Sequence, residues 1–260
     1  MAQLPVAVQL ASLRLPFKKA LVLAAQLGAD AVEIDARGEL RPHELGDTAL
    51  RQLRKMLDEL RLKISTVSFR TRRGYEVLDD LDRRIEATKK ALDFAYALGA
   101  STVVNEIGTI SASEDSLEWS TMVEAVHDLG RYGQRCGAFL SARTGYSSGA
   151  ELARLLDALP NGYLGIDLDP GGLIVHGHSV EEATSLLASH ILHVHARDAV
   201  PDLAAGRGLE VPLGRGSVDF PNLLATLEAQ DYRGYLTVQR NDSPTAVQEI
   251  GDAVQFLRNL

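Results

Sequence analysis

Cysteine is nearly missing from this chain of 260 residues, which contains a single one, Cys136. One thiol cannot close an internal disulfide, so the sequence carries no sign of an oxidising compartment, and packing is the simplest role for it. The N-terminus lacks a basic segment followed by a long apolar run, and no apolar stretch approaches the roughly 18 residues that a membrane span needs. We therefore expect a cytoplasmic protein with no membrane partner.

An excess of basic residues is missing as well. Lys and Arg number 27 against 35 Asp and Glu, and the formal net charge is -8. Nucleic-acid-binding proteins usually present basic patches or stripes, so this balance argues against nucleic acid as a partner. A small anionic substrate held by a few local arginines stays compatible with it. The hydrophobic fraction of 45% and the charged fraction of 24% are those of an ordinary globular protein that buries a large core.

Linkers and low-complexity tracts are missing, and short apolar runs alternate with longer amphipathic stretches from end to end. Most of the short runs are continuous apolar segments, which are typical of buried parallel strands. Eight strands are predicted, over residues 6–10, 31–34, 64–68, 102–105, 138–142, 163–167, 191–195 and 235–238.

The stretches between these strands show apolar residues at helical spacing. Their apolar stripes predict helices that cover one face of a sheet. Four stripes are clear: Leu50, Leu53, Leu57 and Leu60; Leu81, Ile85, Leu92 and Ala95; Leu152, Leu155, Leu156 and Leu159; Val247, Ile250, Val254 and Leu257.

Chain length fits one complete (β/α)8 barrel, which typically needs roughly 250 residues, although two smaller domains would also fit. The absence of a composition break favours one unit. An open doubly wound sheet is the main alternative, but no Gly-x-Gly-x-x-Gly motif opens a helix after the first strand. The sequence therefore predicts an α/β protein with a single (β/α)8 TIM barrel domain over residues 1–260.

Polar residues follow most of the predicted strands, where the active site of such a barrel lies. Side chains alternate along a strand, so His193 and His195 share a face, and His195 is closer to the strand's end. A neutral imidazole there suits a metal ion or a sugar hydroxyl. Asp169 follows the preceding strand and is predicted at the mouth of the barrel, with capping of the next loop as its alternative role.

Four segments resemble the xylose isomerase-like TIM barrels of the sugar phosphate isomerase/epimerase family, and the likeness covers essentially the whole chain. They are residues 165–172, 193–198, 212–220 (Pro-Leu-Gly-Arg-Gly-Ser-Val-Asp-Phe) and 235–238. That family includes sugar-phosphate isomerases, ketose 3-epimerases, inosose dehydratases and, more distantly, endonuclease IV. The resemblance implies a divalent metal ion (Mn, Mg, Zn or Co) held by Glu, Asp, His and Glu on strands five to eight. It also implies that the two glutamates move the substrate proton.

Two of these four positions match the family pattern, as Asp169 and His195. Arg143 and Gln239 stand where the two glutamates are expected. The exchange removes two carboxylates that could bind a metal and move a proton, and it adds one permanent positive charge. We therefore predict an incomplete metal site in a chain that is metal-free as purified, in which the Arg143 guanidinium pairs with Asp169 in the place of the ion.

Candidate catalytic bases are Glu106, at the end of the fourth predicted strand, and Glu33, on the second. A structural role beside a barrel arginine is the alternative that we favour for both. His176 and His178, in the loop after Asp169, could also approach the mouth, although histidines in a glycine-rich loop are more often solvent-exposed.

Candidate substrate-binding residues are Arg143, His193, Gln239 and Arg215. Arg215 lies in the glycine-rich segment before a helix and could hold a phosphate or carboxylate, with an ordinary surface position as its alternative. Arginines at 70, 72 and 73 could contact an anion too, but a solvated loop is the simpler explanation.

Two functions remain open on this basis. One is an isomerase or epimerase that moves a proton beside the carbonyl of a small sugar or polyol. The other is a non-catalytic or repurposed, metal-free barrel that binds a small polar or anionic ligand. A nuclease ranks third because the net charge is negative and further metal ligands are missing. Assembly into a homo-oligomer stays compatible with the sequence.

Overall fold

The computed structural model describes residues 4–42, 45–202, 207–241 and 243–260. Eight parallel strands close into a barrel, and helices alternate with them along the chain. The predicted fold is confirmed. An open doubly wound sheet is excluded because the last barrel strand pairs with the first, with Val6 opposite Leu236 and Val8 opposite Val238.

Ten strands lie in the described residues, and all except β8 and β9 belong to the barrel. They are β1 (Val6–Gln9), β2 (Ala31–Asp35), β3 (Lys63–Ser68), β4 (Thr102–Asn105), β5 (Phe139–Arg143), β6 (Gly165–Leu168), β7 (Ile191–Ala196), β8 (Asp198–Val200), β9 (Leu209–Val211) and β10 (Leu236–Val238). The helices are α1 (Phe17–Gln26), α2 (Asp47–Leu60), α3 (Leu81–Ala97), α4 (Leu117–Cys136), α5 (Gly149–Asp157), α6 (Pro170–Val175), α7 (Val180–Leu187), α8 (Phe220–Ala229) and α9 (Ala246–Arg258).

Each of the eight predicted strands is present, and no end differs by more than two residues. The largest shift is at the start of β6, where Tyr163 lies before the strand. Its ring packs on His127 of α4, with the ring centres 5.0 Å apart. Gly130 makes this approach feasible, because a Cβ there would lie 2.5 Å from the Tyr163 Cβ. The apolar run therefore begins with a residue, Tyr163, that packs on a helix instead of pairing with a strand.

The helices cover the barrel with the stripes that their spacing predicts. Leu53 and Leu57 of α2 are buried, as are Ile250 and Leu257 of α9. Val247, at the start of the last stripe, lies in the first turn of α9 and is 38% exposed. None of the helices in the described ranges is long and apolar enough to cross a membrane.

Strand register brings the site residues to one level inside the barrel. Asp167 of β6 is opposite Arg143 of β5 and His193 of β7, while His195 is opposite Thr237 of β10. These side chains are nearly or fully buried. The upper part of the barrel interior is therefore polar, although barrel interiors are generally filled by bulky branched apolar residues.

An antiparallel pair, β8 with β9, lies outside the barrel between β7 and α8. It begins directly after β7, so residues of this pair lie beside the mouth.

Candidate functional site

Asp169 is the centre of the polar network at the C-terminal mouth. It follows β6 and caps α6, since its Oδ1 accepts the Gly172 N–H at 2.8 Å. Its Oδ2 accepts from Arg143 Nε at 3.0 Å and Nη2 at 2.8 Å, and from Arg197 Nη1 at 2.6 Å. Gly172 fits close beside this carboxylate, because a Cβ there would lie 2.7 Å from Oδ2. Both oxygens of Asp169 are therefore engaged by the chain itself.

Arg143 extends from the end of β5 across the mouth. Besides Asp169, it donates to Oε1 of Gln239, which follows β10. The amide of Gln239 donates in turn to Asn241 Oδ1 at 3.0 Å. The exposed fraction of the Arg143 side chain is 8%. Arg143 and Gln239, the two residues expected from the sequence to replace family glutamates, thus contact each other, and the arginine lies between the amide and the carboxylate.

A chain of alternating charges continues around the rim. Arg197 pairs with Glu210 of β9, whose Oε1 accepts from Arg240 Nη1 at 2.9 Å. Arg240 also pairs with Glu249 of α9. These contacts tie β7, β9 and α9 to Asp169. The sequence did not single out these two residues, Arg197 and Glu210. Arg197 follows a predicted strand, where a charged residue is equally typical of a solvated loop, and Glu210 lies in β9, which was not among the eight predicted strands.

A second polar layer lies below Asp169. His193 and His195 each donate from Nδ1 to the Asp167 carboxylate, at 2.7 Å and 2.7–2.8 Å. His193 contacts Thr237 Oγ1 through Nε2 at 2.7 Å. Nε2 of His195 lies 2.7 Å from Glu33 Oε2, without the alignment of a regular hydrogen bond, so this contact is an ion pair. Asp167 shares a face of β6 with Asp169, and that alternation is the signal that could have singled it out.

Charges in this layer are set by the neighbours of each group. Burial and Arg143 lower the pKa of His195, but Asp167 and Glu33 outweigh them and raise it to about 9. Burial alone would raise the pKa of Glu33, but His195 lowers it to about 2. Burial lowers the pKa of His193, which is therefore neutral near pH 7. The layer holds one imidazolium between two carboxylates.

Asp169 is ionised for a similar reason. Burial would raise the pKa of its carboxyl, but the Arg197 and Arg143 guanidiniums hold the pKa below its usual range. The carboxylate contacts two permanent cations, so its negative charge is compensated within the protein.

The four family positions do not fit a divalent ion. The Asp169 oxygens already accept four N–H donors from three residues, and Gln239 Oε1 accepts from Arg143. The His195 imidazole is protonated between two carboxylates, whereas a metal ligand must be a neutral imidazole. The Arg143 guanidinium also places a permanent positive charge between the oxygens of Asp169 and Gln239. The donor set that remains is too small and too positive for a metal.

A second group of candidate ligands is Asp167, His193 and His195, whose ligand atoms come within 4.8 Å of one another. Two imidazoles and a carboxylate are a donor set that suits zinc. Here both Nδ1 atoms donate to Asp167, and the three side chains are at most 1% exposed beneath Arg143. The geometry is that of a hydrogen-bonded polar layer.

The two candidate bases lie in different environments. Glu33 is fully buried, accepts from Gln9 Nε2 at 2.7 Å and pairs with His195. The Glu106 side chain is 50% exposed just after β4 and pairs with Arg70 at 2.5 Å. Glu106 is therefore open to solvent beside the mouth, whereas Glu33 belongs to the layer beneath it.

Arg215 is exposed in a turn that Asp198 organises. The Asp198 carboxylate accepts the N–H groups of Ala199, Gly214, Gly216 and Val218 at 2.8–3.1 Å. Two of these N–H groups belong to Gly214 and Gly216, so the contacts give the glycine-rich segment a structural role. His193, the other candidate for substrate contact below the rim, has both ring nitrogens engaged inside the barrel.

The loop histidines do not join the Asp169 network. His176 contacts the Gly172 carbonyl through Nδ1 at 2.9 Å and packs edge-on against Tyr146. His178 is partly buried in the short loop between α6 and α7. His176 is exposed, which fits the solvent-exposed alternative stated from the sequence, whereas the partial burial of His178 does not.

A profile of one protein family, described as xylose isomerase-like TIM barrel, matches residues 21–260. It confirms the resemblance inferred from the four segments. Among curated proteins, an inosose dehydratase of Bacillus thuringiensis (strain Al Hakam) is 25% identical over 222 residues, which are 74% of this chain and 74% of that protein. An inosose dehydratase of Clostridium perfringens (strain 13 / Type A) is 24% identical over 204 residues, 65% of this chain and 69% of that protein.

Solved structures show the same fold. A xylose isomerase domain protein from Planctomyces limnophilus has a TM-score of 0.83 at 23% identity, over 99% of this chain and 96% of that one. A D-psicose 3-epimerase from Clostridium cellulolyticum H10, solved with D-tagatose, has a TM-score of 0.78 at 15% identity, over 98% of each chain. At these identities the likeness is one of fold.

Proposed function

This chain belongs to the xylose isomerase-like TIM barrel family, and from that premise we propose that it binds a small sugar or polyol at its barrel mouth without a divalent metal ion. The state of Asp169 carries the proposal. Its carboxylate, at the position that matches a family metal ligand, accepts from two guanidiniums at 2.6–3.0 Å. Arg143 and Arg197 thus supply the positive charge that an ion would otherwise supply.

The ligand class is supported by the polar groups at the mouth. Arg143, Arg197 and Gln239 lie within one connected network and are 7–12% exposed. Guanidinium groups donate hydrogen bonds, and the amide of Gln239 both donates and accepts them, which suits the hydroxyls of a sugar or polyol. Relatives and structural neighbours named for inosose, D-psicose and D-tagatose favour the same class.

Proton transfer by the family arrangement is not available to this mouth. Gln239 is an amide and Arg143 stays protonated, so neither can serve as a general base near neutral pH. Their positions are the two from which family members draw their bases. Binding is therefore the activity that the network supports best.

Calorimetry and a ligand screen test the proposal together. We expect no Mn2+ or Zn2+ binding by the purified protein, and an increase in Tm with at least one sugar or polyol. Gln239→Ala should weaken the binding of that ligand. Arg233 is exposed and paired with Asp231, so Arg233→Gln should leave the affinity unchanged. Stoichiometric, tight metal binding would overturn the metal-free state. A complete sugar and polyol panel without any Tm change would overturn the ligand class.

A second candidate is a metal-independent isomerase or epimerase, and the exposure of Glu106 favours it. This carboxylate is half-exposed at the end of β4 and can be reached by a ligand at the rim. If a sugar or polyol from the screen is converted, Glu106→Gln should abolish turnover and leave binding intact. Retained turnover in this variant would remove Glu106 from the reaction, and Glu33→Gln would then test the buried carboxylate.

A further inference from the structure

A basic cavity lies beside the mouth, on the outer side of the barrel. It is formed by the loops after β2 and β3 and by the first half of α3, and its volume is about 800 Å3. Eight basic and three acidic side chains line it, so more than a quarter of the 27 Lys and Arg residues gather there. In a chain with a net charge of -8, this concentration makes the cavity a local positive region.

Three of these cations have no partner among the described residues. They are Arg72, in the loop after β3, and Arg83 and Lys90, which are all exposed. Arg83, Ala87 and Lys90 are spaced by four and three residues, so they lie along one face of α3. Arg72 faces the same cavity from the loop. The unpaired charges thus approach one volume from two elements.

Other basic residues hold the cavity wall in place. Arg37 donates from Nη1 to the Arg70 carbonyl at 2.7 Å, which joins the loops after β2 and β3. Arg73 pairs with Asp79, and Arg84 donates to the carbonyls of Val77 and Asp79. The loop that carries Arg72 is therefore anchored at both ends.

We propose that this cavity binds a small molecule that carries two linked phosphate groups. Guanidiniums match phosphate oxygens bidentately, and each phosphate carries one to two negative charges, so three free cations suit a diphosphate better than a single anion. Ala36, Phe69 and Ala87 supply an apolar part of the wall for the organic portion of such a ligand. A cavity of this volume accommodates a small ligand, whereas nucleic-acid polymers are bound along extended basic stripes.

Calorimetry with pyrophosphate as the probe tests this site on the full chain. We expect pyrophosphate to bind at least tenfold more tightly than inorganic phosphate. The triple variant R72Q/R83Q/K90Q should lose at least tenfold in pyrophosphate affinity. A matched variant, K18Q/K19Q/R51Q, removes the same charge from exposed positions on α1 and α2 and should bind pyrophosphate as the unmodified chain does.

Four outcomes would overturn the proposal. These are the absence of pyrophosphate binding, equal affinities for pyrophosphate and inorganic phosphate, equal losses in the two triple variants, and binding of heparin without binding of pyrophosphate. The last result would assign the cavity to a polymeric anion. Far-UV circular dichroism of both variants shows that an affinity loss is not a loss of fold, and ADP as a second probe reports whether the apolar wall adds affinity.

Discussion

Arg143 shows how one side chain changes the chemistry of a whole site. A glutamate in its place would add a third buried carboxylate beside Asp167 and Asp169, whereas the guanidinium neutralises them. It donates to Asp169 at 2.8 and 3.0 Å and lies 3.7 Å from Asp167. The same charge lowers the pKa of His195, and that imidazole is still held protonated by Asp167 and Glu33. Three internal cations, Arg143, Arg197 and His195, thus compensate the three buried carboxylates Glu33, Asp167 and Asp169.

His195 predicts a dependence of stability on pH. Its pKa is raised from 6.5 to about 9 in the fold, so the imidazolium stabilises the folded chain. This stabilisation is fully present below pH 6.5 and is lost as the pH rises through about 9. The free energy of unfolding in urea should therefore fall across this window.

A control for Cys136 is needed. Burial raises the pKa of its thiol from 9.0, so its ionisation also lowers the free energy of unfolding at the upper end of this pH range. We expect Cys136→Ser to keep most of the slope and His195→Asn to flatten it. NMR of labelled histidine should also show the His195 ring still protonated at pH values above 7. A neutral His195 ring at pH 7 would contradict the prediction.

At the scale of elements, the strands were predictable and the rim was not. Continuous apolar runs mark β1 to β7 and β10 because each strand is buried on both faces, a local property of the sequence. The contacts of Asp198 with Gly216 and Val218, and of Glu210 with Arg197, join residues at least 13 positions apart and cross several elements. No periodicity encodes such contacts. The pair of Arg143 and Asp169 could be predicted, because the two residues lie at the ends of adjacent strands.

Asp198 should be essential for the segment that contains Gly214, Gly216 and Val218. Asp198→Ala removes the acceptor of four backbone N–H groups from a residue that is 1% exposed, so we expect a loss of about 3 kcal/mol in unfolding free energy. Hydrogen exchange should accelerate at the amides of these three residues.

Asp219→Ala is the matched control for that variant. Asp219 caps α8 by accepting the Asn222 N–H at 3.1 Å and is exposed, so its loss should cost about 1 kcal/mol. Equal effects of the two substitutions, or unchanged exchange at the segment, would contradict the role assigned to Asp198.

For the whole molecule, charge is arranged by region. The mouth holds a compensated network in which each buried carboxylate contacts a cation. The cavity beside α3 is lined by three cations, Arg72, Arg83 and Lys90, that contact no partner within the described part of the chain. Buried charges are tolerated when they are paired, while free charges remain at an accessible surface. The family fold is retained, and the change lies in which groups supply positive charge at the mouth.

Placing glutamate at positions 143 and 239 should make the mouth depend on a bound cation. In R143E/Q239E, Asp169 would face two new carboxylates with Arg197 as its remaining guanidinium partner, so the variant should lose about 3–5 kcal/mol of stability in EDTA. Mn2+ should bind this variant and recover about 2.7 kcal/mol at a concentration of 100 times Kd. Q239E alone keeps Arg143 as a partner for the new carboxylate, so it should stay folded in EDTA and bind no Mn2+. Two results would show that Arg143 does not stand in the place of the ion. One is a folded double variant that binds no Mn2+ in calorimetry, and the other is an unmodified chain that gains the same stability from Mn2+.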